Sequence, residues 1–191
     1  MKKILFSLIA VSAFAVGARA DIIPTLSSIS NNANGTFTWN YDAQVTLNQQ
    51  VQAGDFFTIY DFGNIVPGSN TQPAGWTFSS SLVGKTPPLV NATDNPSLLN
   101  LTWTYAGNET FTGPLDLGIF SVQTTTSGTR TGQFAAEATR STGPQVGTKI
   151  DNIGSVTVPV PEMSALMPIL GVCGMGVAGL ATSLWRRRQV G

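Results

Sequence analysis

Carboxylates are the side chains in this sequence with the greatest capacity for chemistry. The chain has 191 residues, of which ten are acidic, ten are basic and none is histidine. Two carboxylates about 5 to 10 Å apart can hydrolyse a glycosidic bond, and carboxylates in loops can bind calcium. No Asp-x-Asp-x-Asp loop or other local motif connects the acids, so we predict no catalytic residue, no metal site and no cofactor. The acids of the central region are Asp42, Asp55, Asp61, Asp94, Glu109, Asp116, Glu137 and Asp151.

The residue types that are missing narrow the chemistry further. A nucleophile activated by histidine needs an imidazole, and zinc or copper sites usually need histidine or cysteine ligands. The one cysteine, Cys173, lies in an apolar run near the end of the chain. The formal charge is zero, so electrostatics give no reason to expect a nucleic-acid partner. We therefore predict a protein that is not an enzyme, with a polysaccharide-acting enzyme and a calcium-binding domain as the alternatives.

Alternation of apolar with small polar residues, at a period of two, predicts β-strands through the central region. Clusters of glycine, proline and asparagine separate the runs, and no helix connects them, so the strands should pair antiparallel. We predict one all-β domain over residues 21–157, a single antiparallel β-sandwich of about eight strands that is Ig-like or jelly-roll-like. The predicted strands are 22–29, 36–47, 56–62, 76–80, 99–105, 117–124, 132–139 and 154–158.

Tryptophans fall on these predicted strands. Trp39, Trp76 and Trp103 alternate on the same faces as leucine and valine, and a buried aromatic side chain removes about 150 to 250 Å² from water. We therefore expect the three rings in the core between two sheets. The alternative is a carbohydrate-binding module, in which Trp76 and Trp103 would contact a glycan. Loops 65–74 and 85–97 are irregular and free to vary, so they are the expected carriers of any recognition surface.

The first 20 residues have the pattern of a secretory signal peptide. Lys2 and Lys3 form a charged start, residues 4–16 form an apolar centre, and Ala18 and Ala20 occupy the small-residue positions of a cleavage site. We expect signal peptidase to cut before Asp21. The domain would then be exported.

Residues 158–191 form a tail with three parts in a fixed order: a Pro/Glu segment, an apolar run and three arginines. A helix over 164–185 would be about 33 Å long, which matches a hydrocarbon core of about 30 Å. Arg186, Arg187 and Arg188 follow it, and positive charge beside a membrane helix stays on the cytoplasmic side. We predict a transmembrane helix over 164–185, with the domain before it outside the cytoplasm.

This tail resembles the PEP-CTERM sorting signal of exported proteins in Gram-negative bacteria. Val160, Pro161 and Glu162 match the motif at 160–163, whereas Met163 stands where the family usually has a second proline. A plain C-terminal membrane anchor is the alternative.

The resemblance implies a route and a role. The precursor would be anchored in the inner membrane with its domain in the periplasm, and a transpeptidase called exosortase would cut near Pro161. The product would then lie at the cell surface or outside the cell. Members of the family are associated with extracellular polysaccharide and biofilm, which implies a structural or adhesive role with polysaccharide as a partner.

Overall fold

The computed structural model describes residues 22–161, and throughout this range the chain is all-β. Ten strands and no helix are present in it, and the strands form two antiparallel sheets that face each other. The all-β prediction and the antiparallel pairing are confirmed. No helix within these residues has the length and apolar character needed to cross a membrane. The predicted signal peptide (1–20) and transmembrane helix (164–185) lie outside the described residues.

The strands vary from two to twelve residues in length. In chain order they are β1 (Ile22–Asn31), β2 (Phe37–Val45), β3 (Gln49–Val51), β4 (Phe56–Ile59), β5 (Trp76–Ser81), β6 (Asn100–Tyr105), β7 (Phe111–Thr112), β8 (Leu115–Thr124), β9 (Thr129–Arg140) and β10 (Lys149–Pro159). All of the predicted strand regions contain a strand. The short strands β3 and β7 were not predicted, and β10 begins earlier than the predicted residue 154.

The two sheets differ in size. The smaller sheet has the order β1–β2–β8, and the larger sheet runs β5–β6–β4–β9 with β10 on the other side of β9. Strand β9 is central to the larger sheet, because it pairs with β10 along one side and with β4 and β3 along the other. Strand β3 also pairs with β7. Every register is antiparallel.

Strands β3 and β4 behave as one strand that a tight turn interrupts. Gln50 lies opposite Thr139 of β9 and Phe56 lies opposite Glu137, so the residues between Gln50 and Phe56 face a single residue of the partner. The extra residues form a turn in which the Asp55 N–H donates to the Gln52 carbonyl at 3.0 Å. Gly54 has φ +96° at this turn, a conformation that glycine adopts at low cost.

The chain crosses between the sheets where β7 leads into β8. Gly113 lies in this crossing, and its N–H donates to the Gln49 carbonyl at 2.8 Å. A Cβ atom at Gly113 would lie 2.1 Å from the Thr46 carbonyl oxygen. The close approach of the two backbones therefore requires glycine there.

Aromatic rings from both sheets form the centre of the core. Phe57 of β4 stacks on Trp103 of β6 with ring centroids 5.2 Å apart. Phe120 projects from the smaller sheet and meets Phe57 and Trp76 edge-on, each at 5.0 Å between centroids. Edge-to-face pairs of this kind add about 0.5 to 1.5 kcal/mol beyond area burial. The core therefore depends on interdigitated rings rather than on aliphatic side chains alone.

The outer face of the larger sheet is covered by residues 82–99, which we call the cover segment. Thr58 and Tyr60 project outward, and both hydroxyls donate to the Lys85 carbonyl, at 2.8 and 2.9 Å. Thr58 also hydrogen-bonds Thr102 on the neighbouring strand at 2.9 Å. Because of this cover, all four residues of β4 are buried, and β4 does not show the inside-outside alternation of a strand with one wet face.

Candidate functional site

The most concentrated set of ionisable groups among the described residues lies on the outer face of the larger sheet. Asp55, just before β4, contacts Thr139 of β9 and Lys149 of β10, and the Lys149 ammonium also lies near Glu137 of β9. We call these four residues the Asp55 cluster. The antiparallel register brings these residues together, because Thr139 lies opposite Lys149 and Glu137 lies opposite both Asp151 and Phe56.

Asp55 is the buried centre of the cluster, with an exposed fraction of 0%. Its Oδ2 accepts the Gln52 backbone N–H at 2.9 Å, and the Thr139 hydroxyl reaches Oδ1 and Oδ2 at 3.2 and 3.1 Å. Its Oδ1 is in direct contact with the Lys149 ammonium. The carboxylate thus has the hydrogen-bond partners that a buried charge requires.

Lys149 and Glu137 connect this buried carboxylate to the surface. The Lys149 side chain is 39% exposed, and its Nζ lies 3.9 Å from Glu137 Oε1. One ammonium therefore lies beside two carboxyl groups, of which only the Glu137 group is open to solvent in part. The sequence analysis did not single out Lys149. A signal was nevertheless present, because Lys149 and Asp151 alternate with apolar Ile150 as on the outer face of a strand.

A second lysine borders the cluster from the cover segment. Lys85 Nζ lies 3.6 Å from the centroid of the Phe56 ring, a cation–π contact. Phe56 itself is buried between Lys85 and the sheet and lies opposite Glu137. The apolar ring therefore limits the access of water to one side of the charged groups.

Burial dominates the electrostatics of the cluster. It raises the pKa of Asp55 above its ordinary value, although contacts with Lys149, the Gln52 N–H and Thr139 oppose the shift. Burial also raises the pKa of Glu137, with Lys149 as the main opposing group. The pKa of Lys85 is lowered, again chiefly by burial. Each shift favours the neutral form, as expected where the charged form loses water.

Other acids that the sequence analysis considered hold loops in place. Asp94 accepts the Gly84 N–H at 2.8 Å, Asp151 accepts the Leu89 N–H at 2.7 Å, and Asp61 accepts the Asn95 N–H at 2.7 Å. Asp151 and Asp61 thus fasten the cover segment to the sheet, whereas the Asp94–Gly84 bond closes the segment on itself. No group of three or more metal-ligating side chains occurs within residues 22–161.

Asp42 and Asp116 form a separate pair on the smaller sheet. Burial raises the pKa of Asp42, and the neighbouring Asp116 carboxyl group raises it further. Asp116 lies opposite Gln44 in the β2–β8 register. The pair thus places like charges together at neutral pH, which is destabilising.

Trp76 and Trp103, the sequence-based candidates for glycan contact, both lie in the core. Trp76 is 6% exposed and Trp103 is 0% exposed. Trp76 has one edge at a small pocket that Pro73, Phe111 and Leu115 also line. A glycan could reach the face of neither ring without opening the core. The burial agrees with the expectation that these rings pack in the core between the sheets.

A polar cleft of about 300 Å³ lies beside the last strand. We call it the Arg130 cleft. Arg130 donates from Nε to the Pro159 carbonyl at 3.1 Å and from Nη2 to the Asp61 carbonyl. Gln133 accepts the Thr93 N–H at 2.9 Å. The cleft is lined by Asp61, Thr93, Arg130, Thr131, Gly132, Gln133 and Ser155.

One end of the core is polar. Gln49 is fully buried, yet neither atom of its side-chain amide has a hydrogen-bond partner among the described residues. Thr46 Oγ1, Arg140 Nε and Ser141 Oγ, on the segments around it, are likewise buried and unpaired. Unpaired buried polar atoms cost about 1 to 3 kcal/mol each. These atoms therefore oppose the stability that burial of this end provides.

Of the predicted sorting motif, Val160 and Pro161 are described. Val160 follows β10 directly, is 43% exposed, and its N–H donates to the Gly128 carbonyl at 2.8 Å. Pro161 is half-buried. Glu162, Met163 and the arginines Arg186, Arg187 and Arg188 lie outside the described residues, as do the signal-cleavage residues Ala18, Ala20 and Asp21.

The chain was also compared with known proteins. No protein-family model matches it, and no curated protein sequence matches it significantly.

Proposed function

We propose that this chain is a non-enzymatic cell-surface or extracellular-matrix protein of a Gram-negative bacterium, with a structural or adhesive role in exopolysaccharide or biofilm. The main support for this proposal is that the described carboxylates with the most hydrogen-bond and ion-pair partners stabilise the fold. Asp55 is buried against Lys149, and Asp61, Asp94 and Asp151 hold the cover segment through backbone N–H groups. Carboxylates in such use are not available to a substrate.

The proposed route follows both ends of the sequence. Signal peptidase would cut before Asp21, the helix 164–185 would anchor the precursor, and exosortase would process it at 160–163 before it reaches the surface. Support comes from Val160, which is exposed and lies one residue beyond β10. Because the Val160 N–H still donates to the Gly128 carbonyl, a sorting enzyme at the membrane would meet the motif directly at the end of the folded sheet.

The C-terminus of the mature protein, isolated from its own cells, tests this route. We expect peptide mass mapping of the surface fraction to find an end near Glu162. The Glu162→Ala variant should not be cut and should retain Arg188. The Glu109→Ala variant makes the same change at an exposed loop residue and should be processed normally. An intact Arg188 in the unaltered protein would contradict sorting and leave a permanent membrane anchor.

The role in the matrix needs a separate experiment. Deletion of the gene should reduce the exopolysaccharide retained by the cells, and the unaltered chain should restore it. A strain that retains its normal amount of polysaccharide after deletion would contradict the structural role, whatever the C-terminus shows.

A carbohydrate-binding module is the second candidate, and the Arg130 cleft favours it. Guanidinium, amide and hydroxyl groups surround the cleft, and such groups suit the hydroxyls of a sugar. The contact would then differ from the one first considered, because Trp76 and Trp103 are buried while Thr131 and Ser155 are exposed.

A glycan array with the full chain tests this candidate. Thr131→Arg should fill the cleft and abolish binding without removing any of the hydrogen bonds described there. Ser80→Arg puts the same side chain on an exposed position of β5 and should leave binding unchanged. No binding across a broad panel, or equal binding by both variants, would contradict a glycan site in the cleft.

For the architecture, we propose an Ig-like or jelly-roll-like sandwich. The support is that the chain passes between the two sheets after β2, after β7 and after β8. Such repeated crossings are typical of Greek-key sandwiches.

A further inference from the structure

The Asp55 cluster brings an amine, a carboxyl group and a second carboxyl group together in the way that amide formation requires. Lys149 Nζ is in direct contact with Asp55 Oδ1, so the nucleophile lies beside the carbonyl carbon that it would attack. Glu137 Oε1 lies 3.9 Å from the same nitrogen. Holding reactants in such geometry removes much of the entropic cost of a bimolecular reaction.

We propose that Lys149 and Asp55 become joined by an intramolecular amide bond, formed between Nζ and Cγ, with Glu137 as the group that transfers protons. This inference goes beyond the proposed function and does not depend on it. The reaction is a condensation that needs no oxidant, reductant or other co-reactant.

The amide forms through proton transfer, attack of the amine and loss of water. A proton passes from the Lys149 ammonium to Asp55 Oδ1, which leaves a neutral amine and a neutral carboxyl group. Nζ attacks Cγ, and the Glu137 carboxylate accepts a proton from the nitrogen. Glu137 then returns that proton to Oδ1, the Cγ–Oδ1 bond breaks and one water leaves. Asp55 Oδ2 remains as the amide oxygen, and Glu137 ends in its original state.

The surroundings of Asp55 stabilise the intermediate. The Gln52 N–H donates to Oδ2 at 2.9 Å, and the Thr139 hydroxyl lies within reach of both oxygens, 3.2 Å from Oδ1 and 3.1 Å from Oδ2. The Gln52 N–H therefore donates to the oxygen on which negative charge develops when Nζ attacks, as a donor does in an oxyanion hole. Oδ1, which contacts Lys149, is the oxygen that departs.

Burial also acts on the two carboxyl groups. It raises the pKa of Asp55, so the neutral carboxyl group that Nζ attacks is more accessible than it would be in water. It raises the pKa of Glu137 as well, which makes the Glu137 carboxylate a stronger base toward the proton on the nitrogen. Phe56, with the Lys85 ammonium over its ring, lies next to Glu137 and limits water on that side. Exclusion of water also opposes hydrolysis of the product.

The bond would join two strands that do not pair with each other. Asp55 precedes β4 and Lys149 begins β10, and β9 lies between them. The chain has one cysteine and so cannot form an internal disulfide. An amide would supply the only covalent link between distant parts of the described domain.

Peptide mass mapping of the folded, full-length chain tests the proposal. We expect a branched peptide that contains both Asp55 and Lys149, lighter than the sum of its two linear parts by the mass of one water. Trypsin should not cut after Lys149 in this species. Recovery of both linear peptides at their unmodified masses, with cleavage after Lys149, would overturn the proposal.

Three variants assign the roles. Asp55→Asn should form the same amide with loss of ammonia instead of water, a mass signature that a simple ion pair cannot produce. Lys149→Arg should give no branched peptide. Glu137→Gln keeps the shape of the side chain but not the proton acceptor, so formation of the bond should slow by at least about a hundredfold.

Asp151→Asn is the matched control, because it changes a carboxylate on the same face, opposite Glu137. It should form the bond at the rate of the unaltered chain. Circular dichroism of each variant checks that the sheets have formed. Equal rates for folded Glu137→Gln and for Asp151→Asn would refute the role of Glu137.

Discussion

The Lys149 ammonium contacts the Asp55 carboxylate across strand β9, where the Thr139 hydroxyl lies beneath the contact and donates to the same carboxylate. Asp55 belongs to the turn between β3 and β4, and Lys149 belongs to β10. Strands β4 and β10 are held to β9 by separate hydrogen-bond ladders. The contact therefore connects β10 with the start of β4. These two strands do not pair with each other, because β9 lies between them.

Replacement of Lys149 by methionine should destabilise the fold, because the buried Asp55 carboxylate then lacks both the ammonium and the proposed amide bond. Loss of the ion pair alone should cost about 2 to 3 kcal/mol at pH 7, less than for a fully buried pair since Lys149 is partly exposed. The deficit should shrink as the pH falls toward 4, because Asp55, whose pKa burial raises, then takes up a proton. Urea unfolding at several pH values measures this change.

Lys85→Met is the matched control for that experiment. It removes an ammonium that contacts the Phe56 ring rather than a buried carboxylate, so we expect a loss below about 1 kcal/mol. A Lys149→Met deficit that grows on acidification would show that Asp55 is not the group left unpaired.

Trp103→Ala should be among the most damaging single changes in the domain. The ring is fully buried, stacks on Phe57 and meets Phe120 edge-on, so truncation leaves a cavity that costs about 3 to 5 kcal/mol. Leu89→Ala, at a side chain that is 82% exposed, should change stability by less than about 0.5 kcal/mol. Thermal unfolding compares the two. Equal effects would contradict the core position of Trp103.

Gln49→Met should stabilise the protein. The change keeps the length of the side chain but removes two buried amide atoms that lack partners within residues 22–161, for a gain of about 1 kcal/mol. The midpoint of thermal unfolding should rise by about 3 °C. Gln50→Met, on the half-buried neighbour whose amide donates to Gln52, should not stabilise. A lower midpoint for Gln49→Met would mean that the amide is satisfied in solution.

Asp42→Asn should stabilise the protein at neutral pH and have no effect in acid. The folded-state pKa of Asp42 is raised by burial and by Asp116, so its contribution to stability is present below the unfolded pKa of about 3.9 and is lost as the pH rises through the folded value. Removing the charge should restore about 0.5 kcal/mol at pH 7.

Denaturant unfolding at pH 7 and pH 3 distinguishes removal of the Asp42 charge from a stabilisation that does not depend on pH. The advantage of Asp42→Asn should vanish at pH 3. The exposed Glu109→Gln should be neutral at both values. An Asp42→Asn variant less stable than the parent at pH 7 would show that the Asp42 carboxylate has a favourable partner.

Much of the fold could be predicted because the strands that form the core alternate in sequence. Trp39 and Tyr41 on β2, and Leu101 and Trp103 on β6, are all buried as the period of two indicates. Leu47 continues that period but is 65% exposed, since β2 ends at Val45 and the chain turns at Asn48 with φ +66°. Hydrophobic period alone does not reveal where a strand ends.

The short strands and the Asp55 cluster escaped prediction for different reasons. Strands β3 and β7 have three and two residues, too few to show a period. The cluster joins Asp55 to Lys149, 94 positions apart in the chain, through the registers of β9. Thr58 of β4 looks like an ordinary surface position in the sequence, because the cover segment that buries it comes from elsewhere in the chain.

Strand β10 has a mechanical property that follows from its position. It pairs only with β9, from Pro159 opposite Thr129 to Lys149 opposite Thr139. Tension on the chain beyond Pro161 would act first on the Pro159 end and open the ladder one pair at a time, so the strand would unzip rather than shear. With the proposed Lys149–Asp55 amide formed, the freed length, up to about 38 Å for 11 residues, would stop at Lys149. The domain would then act as an extensible tether with a fixed limit, which absorbs a pull before the sandwich itself is loaded.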